Sequence, residues 1–382
     1  MTERLGLPPL ALYIHIPWCE KKCPYCDFNS HVSAVIPEND YIAALLRDAR
    51  SELPAVQGRR ISSIFIGGGT PSLFSAAAIA RLLEQLAGLL VFADDIEITM
   101  EANPGSSEQA RFVALRAAGI NRLSLGVQSF SSLHLQQLGR IHDGGEALAA
   151  VNAARQAGFE RINIDLMHGL PGQQAADALA DLQQALALGV DHVSWYQLTI
   201  EPNTEFYRYP PRLPAEDTLA DIQQLGQALL ADHGLAQYEV SAFARPGQQA
   251  RHNRNYWEFG DYLAIGAGAH GKISWPAGQC IERYHKTRLP RDYLARDDNF
   301  VAGRQPIAPQ DRLFECLMNG LRLTHGVAVS DVLARTGCSL HELQKACRPL
   351  VEQQLLVLDD RICTSETGFM HLNTVLERLL QN

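Results

Sequence analysis

Residues 12–26 read LYIHIPWCEKKCPYC, a short β-branched run followed by a loop with three thiols, Cys19, Cys23 and Cys26. Thiolates are soft ligands that suit iron–sulfur clusters and zinc. Structural zinc normally takes four protein ligands, often from paired C-x-x-C units, and this sequence has no second pair. The loop therefore favours a cubane cluster with one open iron, and its two lysines are expected to favour the thiolate form. A zinc site completed by a distant ligand such as His15 is the alternative.

Outward from this loop, β-branched runs alternate with Ala/Leu/Gln-rich segments of helical spacing. The predicted strands are Leu12–Ile16, Ser62–Ile66, Ile96–Met100, Arg122–Val127, Arg161–Leu166 and His192–Leu198. The predicted helices between them are Asn39–Leu53, Ala76–Leu90, Glu108–Ala118, Gly145–Ala157 and Ala175–Leu188. Strands that alternate with helices indicate βαβ units and a parallel sheet. We therefore predict an α/β fold built on an open or closed barrel-like sheet, a partial (β/α)6 barrel.

Polar or glycine-rich elements follow five of these strands. The three cysteines follow the first strand, Gly67–Gly69 follow the second, and Glu101, Gln128 and Asp165 close the third, fourth and fifth. In folds of this kind, chemistry collects at the C-terminal strand ends. The sequence therefore predicts a single site at that rim.

The second half of the chain has a different pattern. Several prolines precede a predicted helix at Ala215–His233 and a predicted strand at Tyr238–Ala242, and a region rich in glycine and aromatic residues follows at 251–275. The tail Gln310–Asn382 has helical periodicity and short final strands around Leu355–Leu358, which is typical of a winged-helix-like unit. The predicted domains are a barrel core at 1–200, a β- and aromatic-rich extension at 201–305 and a small C-terminal domain at 306–382.

Composition excludes several classes of protein. The net charge of −9 offers no global basic field for nucleic acid or anionic lipid. The N-terminus lacks a secretory pattern, and the apolar stretches are too short to span a membrane. Eight cysteines in 382 residues are too few for a disulfide scaffold. We therefore expect a folded cytoplasmic protein without a transmembrane segment.

The C-x-x-x-C-x-x-C spacing, directly after a strand that opens a βα barrel, resembles the radical-SAM superfamily. In that family the open iron chelates the amino and carboxylate groups of S-adenosylmethionine, and an electron cleaves its C–S bond. The protein supplies orientation and electronics rather than the radical chemistry itself. The resemblance implies a [4Fe–4S] cluster on the three cysteines, with S-adenosylmethionine beside it.

Motifs at the other strand ends extend this resemblance. The runs IGGGTPS from residue 66, MEANP from 100, GVQS from 126 and DLMHGLPG from 165 match the cofactor rim of oxygen-independent coproporphyrinogen oxidases and their relatives. The resemblance implies S-adenosylmethionine contacts at Tyr13, Tyr25, Gly68, Gly69, Thr70, Glu101, Gln128, Arg140 and Asp165. Structural alternatives remain for each: the glycines can form a tight turn, Glu101 can cap a helix, and Arg140 can pair with Asp143 on the surface.

Two departures bear on the branch of this family. True oxidases have a fourth cysteine two residues after the third, where this chain has Phe28, and an N-terminal extension, where this chain has eleven residues before Leu12. Residues 252–257 read HNRNYW and are similar to the H-N-x-x-Y-W signature of the HemW heme-chaperone branch. Histidine is a natural axial ligand of heme iron, and aromatic rings can stack on the macrocycle. The resemblance implies heme contacts at His252, Asn253, Tyr256 and Trp257, whereas the structural alternative is a turn with two core aromatics.

The resemblance to this branch implies a heme chaperone that delivers heme to respiratory, membrane-associated hemoproteins. It also implies a homodimer and a transient peripheral association with the membrane. The alternatives are an oxygen-independent coproporphyrinogen III oxidase that performs radical decarboxylation, and a radical-SAM enzyme that acts on another substrate such as RNA. A zinc-stabilised barrel with an interaction module is the non-enzymatic alternative.

Overall fold

A computed structural model of the chain describes residues 4–105 and 111–381. Within these residues, twelve strands form one sheet. In chain order they are β1 Leu10–Ile16, β2 Ile61–Gly68, β3 Phe92–Ala102, β4 Arg122–Gln128, β5 Arg161–His168, β6 His192–Gln197, β7 Ala236–Glu239, β8 Ala242–Ala244, β9 Asp261–Ile265, β10 His270–Trp275, β11 Cys280–Lys286 and β12 Val301–Pro306.

The centre of this sheet is parallel. The strand order is β12-β11-β10-β9-β1-β2-β3-β4-β5-β6-β8-β7, and neighbours from β9 to β6 run parallel. The predicted strands correspond to β1 to β6, so the α/β fold with a partial (β/α)6 barrel is confirmed. The sequence did not predict β9, which pairs with β1 from Leu10↔Asp261 to Ile14↔Ile265. The glycine-rich sequence around β9 shows no strand pattern of its own. Its partner β1 lies far away, near the start of the chain.

Helices cover the parallel strands and build the C-terminal domain. The labelled helices are α1 Glu38–Ser51, α2 Ala76–Leu89, α3 Phe112–Ala117, α4 Gly144–Gln156, α5 Ala175–Ala187, α6 Glu216–Asp232, α7 Arg251–Trp257, α8 Pro309–Gly320, α9 Val329–Thr336, α10 Leu340–Glu352 and α11 Leu372–Gln381. Further short helices are Leu53–Val56, Ser132–Gln137, Glu205–Arg208, Pro290–Leu294 and Glu366–Met370, with 3₁₀ turns at Pro71–Leu73 and Pro276–Gly278. The predicted helix Glu108–Ala118 corresponds to α3, and its first three residues lie outside the described residues.

Local chemistry explains where helices begin. Ser75 precedes α2, and its hydroxyl accepts a hydrogen bond from the Ala78 amide at 3.2 Å. Asp143 precedes α4 and forms a capping box with Glu146. Such caps satisfy amides that have no partner within the helix. They fix the point at which each strand-end loop turns back along the sheet.

The two faces of β1 show how the sheet positions the site. Leu12 and Ile14 are buried in the apolar layer beneath the helices. Tyr13 and His15 alternate with them and line a cavity on the opposite, inner face of the sheet. Polar and aromatic side chains therefore gather inside the partial barrel.

A second apolar cluster joins the extension to the C-terminal domain. Leu317 of α8 packs in the cluster with Tyr238 of β7, and Leu5 from the N-terminal segment joins them. Helices α8 to α10 are followed by the hairpin β14 Leu356–Leu358 and β15 Arg361–Thr364, and β13 Val327–Ala328 adds a third strand in the described tail. This arrangement fits the predicted winged-helix-like domain. The division at residue 306 stays a prediction, since the apolar cluster crosses it.

One predicted strand differs from the structure. The sequence predicts a continuous strand at Tyr238–Ala242, whereas the turn of the β7–β8 hairpin lies within this segment, with a shift of register between Ala242 and Phe243. The Ser241 carbonyl accepts a hydrogen bond from the Trp195 amide at 2.7 Å, so the chain turns where it meets β6.

No helix in the described ranges is long and apolar enough to cross a membrane.

Candidate functional site

The C-terminal ends of the parallel strands surround a cavity of about 140 Å³. All of the predicted cluster and S-adenosylmethionine residues except Tyr13 line it. They are Cys19, Cys23, Tyr25, Cys26, Gly68, Gly69, Thr70, Glu101, Gln128, Arg140 and Asp165. The prediction that separate strand ends build one site therefore agrees with the geometry, while the role of each residue as a ligand stays a prediction.

The cysteine loop is held where β1 ends. Trp18–Cys19 forms a short parallel pair with His31–Val32, and the Cys26 amide donates to the Cys23 carbonyl at 3.2 Å. Burial raises the pKa of the Cys19 and Cys26 thiols. Lys22 lowers the pKa of Cys26, which is the expected direction, although burial has the larger effect. Coordination to a metal would supply the missing stabilisation, since a coordinating thiol is deprotonated.

Arg140 links the cysteine loop to two other strand ends. Its guanidinium donates to Cys23 Sγ at 3.5 Å, to Asn103 Oδ1 at 2.6 Å and to the Gly126 carbonyl at 2.8 Å. The alternative in which Arg140 pairs with Asp143 at the surface is therefore wrong. A buried guanidinium next to a thiol can offset the negative charge of a thiolate-bound cluster.

The glycine run packs directly against the cysteine loop. A Cβ at position 69 would lie 2.4 Å from the Trp18 carbonyl oxygen, so only glycine permits this approach. The amides of Gly68, Gly69 and Thr70 donate to Glu101, Ile16 and Trp18, respectively. These amides already have partners. The run therefore contributes close backbone approach rather than free donors for a ligand.

Glu101 and Asp165 place two carboxyls at the cavity. Burial raises the pKa of Glu101 to about 7, and the nearby Asp165 adds to the shift. Burial also raises the pKa of Asp165, although Ser124 and Asn163 donate to it at 2.9 and 2.7 Å. The alternative in which Glu101 caps a helix is wrong, because its Oε2 accepts the Gly68 amide at 3.0 Å. A cationic ligand would favour the ionised form of both carboxyls.

Gln128 ends β4 in a left-handed conformation, with φ of 68°. Its Oε1 accepts a hydrogen bond from the Tyr196 hydroxyl at 2.8 Å, which fixes the side-chain amide. Sequence reasoning missed Tyr196 and Asn103, both of which line the cavity. Tyr196 lies near the end of the sixth strand, so its position at a strand end was the signal that could have found it.

His15 does not supply a zinc ligand in this arrangement. Its Nδ1 is 2.6 Å from the Tyr13 hydroxyl and its Nε2 is 2.9 Å from the Asn29 carbonyl, so both ring nitrogens have partners. The alternative zinc site on the three cysteines would therefore lack His15 as its fourth ligand. Among the described residues, no group of three or more Cys, His, Asp or Glu side chains is arranged to hold a single metal ion.

A larger cavity of about 680 Å³ adjoins the first. The two share Phe28, Gly68 and Glu101 as lining residues. The walls of the larger cavity are rich in aromatic rings, which belong to Tyr13, Phe28, Phe65, Tyr256, Trp257, Phe259 and Tyr262. Its volume lies within the range of about 300–1,000 Å³ that is usual for small-molecule sites.

The HNRNYW motif forms helix α7 rather than a turn. Tyr256 and Trp257 are half-buried and line the larger cavity. His252 lies outside its lining and stacks on Phe65, with 4.2 Å between ring centroids and 8° between the planes. Asn253 donates to the Tyr238 hydroxyl at 3.2 Å. The structure thus groups the two aromatics with the cavity and places His252 behind Phe65, and the heme contacts of His252 and Asn253 stay predictions.

Comparisons with known proteins identify the family. A model for the radical SAM superfamily matches residues 13–185, and a model for the HemN C-terminal domain matches residues 307–371. The heme chaperone HemW of Haemophilus influenzae is 49% identical over 380 residues, which covers 98% of both chains. The heme chaperone HemW of Escherichia coli is 47% identical over 376 residues, which covers 98% of this chain and 99% of that one. This chain belongs to the HemW family.

The fold of this HemW-family chain is also similar to a solved oxidase structure. The coproporphyrinogen III oxidase HemN of Escherichia coli superposes with a TM-score of 0.82 at 26% identity. The match covers 98% of this chain and 91% of that one. The similarity extends over the barrel, the extension and the C-terminal domain.

Phe28 lies at the junction of the two cavities in this HemW-family chain. It follows the third cysteine by two residues, its side chain is 60% exposed, and it lines both cavities. A phenyl ring offers apolar packing surface at this position and no thiol. The junction therefore offers an aromatic packing surface at this position.

Proposed function

We propose that the chain is a heme chaperone that holds heme in the larger cavity, next to a [4Fe–4S] cluster and S-adenosylmethionine. The observation that carries the proposal is the aromatic-walled cavity of about 680 Å³ adjoining the cysteine-lined cavity in a HemW-family chain. A porphyrin is a large, flat, mostly apolar ligand. Aromatic side chains provide stacking surface for such a ring.

The residues around the smaller cavity fit the two cofactors. Cys19, Cys23 and Cys26 would hold the cluster, and Arg140 beside Cys23 would offset its charge. The carboxyls of Glu101 and Asp165, together with Gly68, Gly69, Thr70, Gln128 and Tyr25, would surround S-adenosylmethionine, which carries an ammonium and a sulfonium group. When bound, the cluster would supply one electron to the sulfonium. The chain's own groups would position the ligand.

The cluster is tested by anaerobic reconstitution with iron and sulfide. Changing Cys19, Cys23 and Cys26 together to serine should remove the brown absorbance and the bound iron. The matched control is Cys363→Ser, since Cys363 lies in the small C-terminal sheet and should leave the iron content unchanged. Full iron content in the triple variant would overturn the assignment.

Heme binding is tested by titrating the reconstituted chain with hemin and following the Soret band. The proposal expects stoichiometric binding that weakens in Trp257→Ala, because Trp257 forms part of the cavity wall. The control is Trp275→Ala, which removes a half-buried indole outside that wall. A chain that shows no saturable heme binding would overturn the proposal.

The second candidate function is oxygen-independent coproporphyrinogen III oxidation. The similarity to the HemN oxidase structure, with a TM-score of 0.82, favours it. An anaerobic assay with coproporphyrinogen, S-adenosylmethionine and a reductant distinguishes the two functions. Decarboxylated product without stable heme binding supports the oxidase, and heme binding without product supports the chaperone.

The proposal extends to delivery of heme to respiratory, membrane-associated hemoproteins by a cytoplasmic homodimer. Heme-loaded chain incubated with a respiratory apo-hemoprotein should transfer its heme, as followed by the spectrum of the recipient. Size-exclusion chromatography with light scattering, before and after reconstitution, tests whether the cluster supports the dimer. If the chain is a monomer under both conditions, the proposed homodimer is wrong.

A further inference from the structure

Two histidines face the larger cavity from adjacent strands. His270 begins β10 and His285 lies on β11, and the two are direct cross-strand partners. Their ring centroids are 5.6 Å apart, and the ring planes differ by 27°. Both side chains are exposed, and both residues line the cavity. Directly opposed residues of an antiparallel pair present their side chains on the same face of the sheet.

The ring nitrogens of this pair are available. Among the described residues, neither imidazole has a hydrogen-bond partner on the protein, in contrast to His15, whose two nitrogens are both engaged. His252 of the HNRNYW motif is buried behind Phe65. Burial lowers the pKa of His270, and the neighbouring His285 adds to the shift. The neutral imidazole, which is the form that binds metal ions, is therefore favoured at neutral pH.

The remainder of the wall suits a porphyrin beside these rings. His270 lies two residues, or about 7 Å, from Lys272 along its strand, and Lys272 is in register with Tyr262 on β9. The aromatic wall therefore starts one strand across and two residues along from His270. Arg283, which forms an ion pair with Glu315 at 2.7 Å, and Arg288 also line the cavity and are exposed. Guanidinium groups are natural partners of carboxylates such as the propionates of heme.

The sheet makes room for His285. Gly303 of β12 is its partner in register, and a Cβ at position 303 would lie 2.5 Å from the His285 ring carbon Cε1. Glycine at this position therefore lets the imidazole lie flat across the neighbouring strand. In this position the plane of the ring lies within 27° of that of His270.

We propose that the His270–His285 pair supplies the axial ligand of heme iron in the larger cavity. The inference rests on the proposed heme-binding function and names the iron ligand within it. The stacked rings lie on the same side of the cavity. One imidazole therefore coordinates the iron, and the other restricts the rotation of the coordinating ring. The motif at α7 then contributes wall contacts through Tyr256 and Trp257, and His252 supports Phe65 from behind.

The experiment titrates the reconstituted chain and its variants with hemin and records the Soret band and the electron paramagnetic resonance spectrum. The variants are His270→Ala, His285→Ala and the double variant. The control is His341→Ala, an exposed histidine on α10. Loss of even an outer partner of a metal ligand typically costs about 10–100-fold in affinity, so the double variant should bind at least about tenfold more weakly. It should also lose the spectrum of imidazole-bound iron, and added free imidazole should restore that spectrum.

A conservative variant tests the placement of the pair without removing a histidine. Gly303→Ala should rotate the His285 ring and alter the heme spectrum, with iron and sulfide content unchanged. If the wild-type chain binds no heme, the proposed function fails. If the wild-type chain binds heme and the double variant keeps its affinity and spectrum, this inference alone is overturned. Loss of the imidazole spectrum in His252→Ala but not in the double variant would likewise overturn it.

Discussion

Glu101 is a carboxyl that the fold holds near half-ionisation at neutral pH. It accepts the Gly68 amide, and burial together with Asp165 raises its pKa to about 7. A cationic ligand would lower the pKa of this carboxyl. Binding of such a ligand would therefore complete the ionisation of Glu101. The empty chain is destabilised by the same arrangement, since an ionised Glu101 is buried there next to a second carboxyl.

This destabilisation predicts how stability changes with pH in the cluster-free chain. The pKa of Glu101 is raised from 4.5 to about 7, so the folded state binds more protons than the unfolded state between these values. Stability should therefore fall as the pH rises through this range. Because one pKa unit corresponds to about 1.4 kcal/mol, the fall attributable to Glu101 is on the order of 3 kcal/mol.

Urea unfolding at pH 5 and pH 8 measures this difference. Glu101→Gln should reduce the fall, since its amide oxygen can still accept the Gly68 amide and carries no charge. The control is Glu352→Gln, whose exposed side chain at the end of α10 should leave the pH dependence unchanged. Equal pH dependence in the wild type and Glu101→Gln would contradict the raised pKa.

At the scale of elements, the end of β2 and the cysteine loop form one rigid unit. Gly69 donates to the Ile16 carbonyl and packs under Trp18, and Thr70 donates to the Trp18 carbonyl at 2.7 Å. These bonds fix the backbone immediately before Cys19. The strand that carries the glycines therefore sets the position of the loop that carries the thiols.

Gly69→Ala should displace this loop and lower the iron bound after reconstitution. The added Cβ would lie 2.4 Å from the Trp18 carbonyl oxygen, and overpacking of this kind typically costs about 1–3 kcal/mol. Gly88→Ala is the control, because a Cβ added at position 88 in α2 would meet no neighbouring atom within 4 Å. Iron content and thermal stability in Gly69→Ala that match the control would show that the contact is unimportant.

At the scale of the whole molecule, the C-terminal domain shares its core with the barrel extension. Arg322 lies over the Trp257 ring at 4.4 Å, and Asn319 of α8 lines the larger cavity. Residues 238, 259 and 317 belong to the same apolar cluster. The domain therefore contributes Asn319 to the cavity lining and shares its apolar core with the extension.

Leu317→Ala tests this shared core. Deleting a buried leucine side chain costs about 2–5 kcal/mol. Because the cluster crosses the domain boundary, calorimetry should show the transition of the whole chain shifted to lower temperature. Leu380→Ala, at a leucine that is 67% exposed on α11, should have little effect. A separate low-temperature transition for the tail, with the main transition unmoved, would show that the domain unfolds on its own.

The sequence alone determined the class of the fold and the rim of the smaller cavity. The alternation of strands and helices is a local pattern, and it placed β1 to β6 correctly. Once the strands are known to be parallel, their ends must meet at one edge, so Cys19, Gly68, Glu101, Gln128 and Asp165 could be grouped before any contact was known. Family motifs extended this grouping to Thr70 and Arg140.

Only the tertiary structure decided the rest, because it depends on segments distant in sequence. No local sequence period encodes the contacts that pair β9 with β1. The same is true of the contacts that form the larger cavity and the His270–His285 pair. The partners of Arg140 and the position of His252 behind Phe65 are likewise long-range. Hydrophobic periodicity specifies which face of an element is buried, whereas the shape of the space between elements is set only when they pack together.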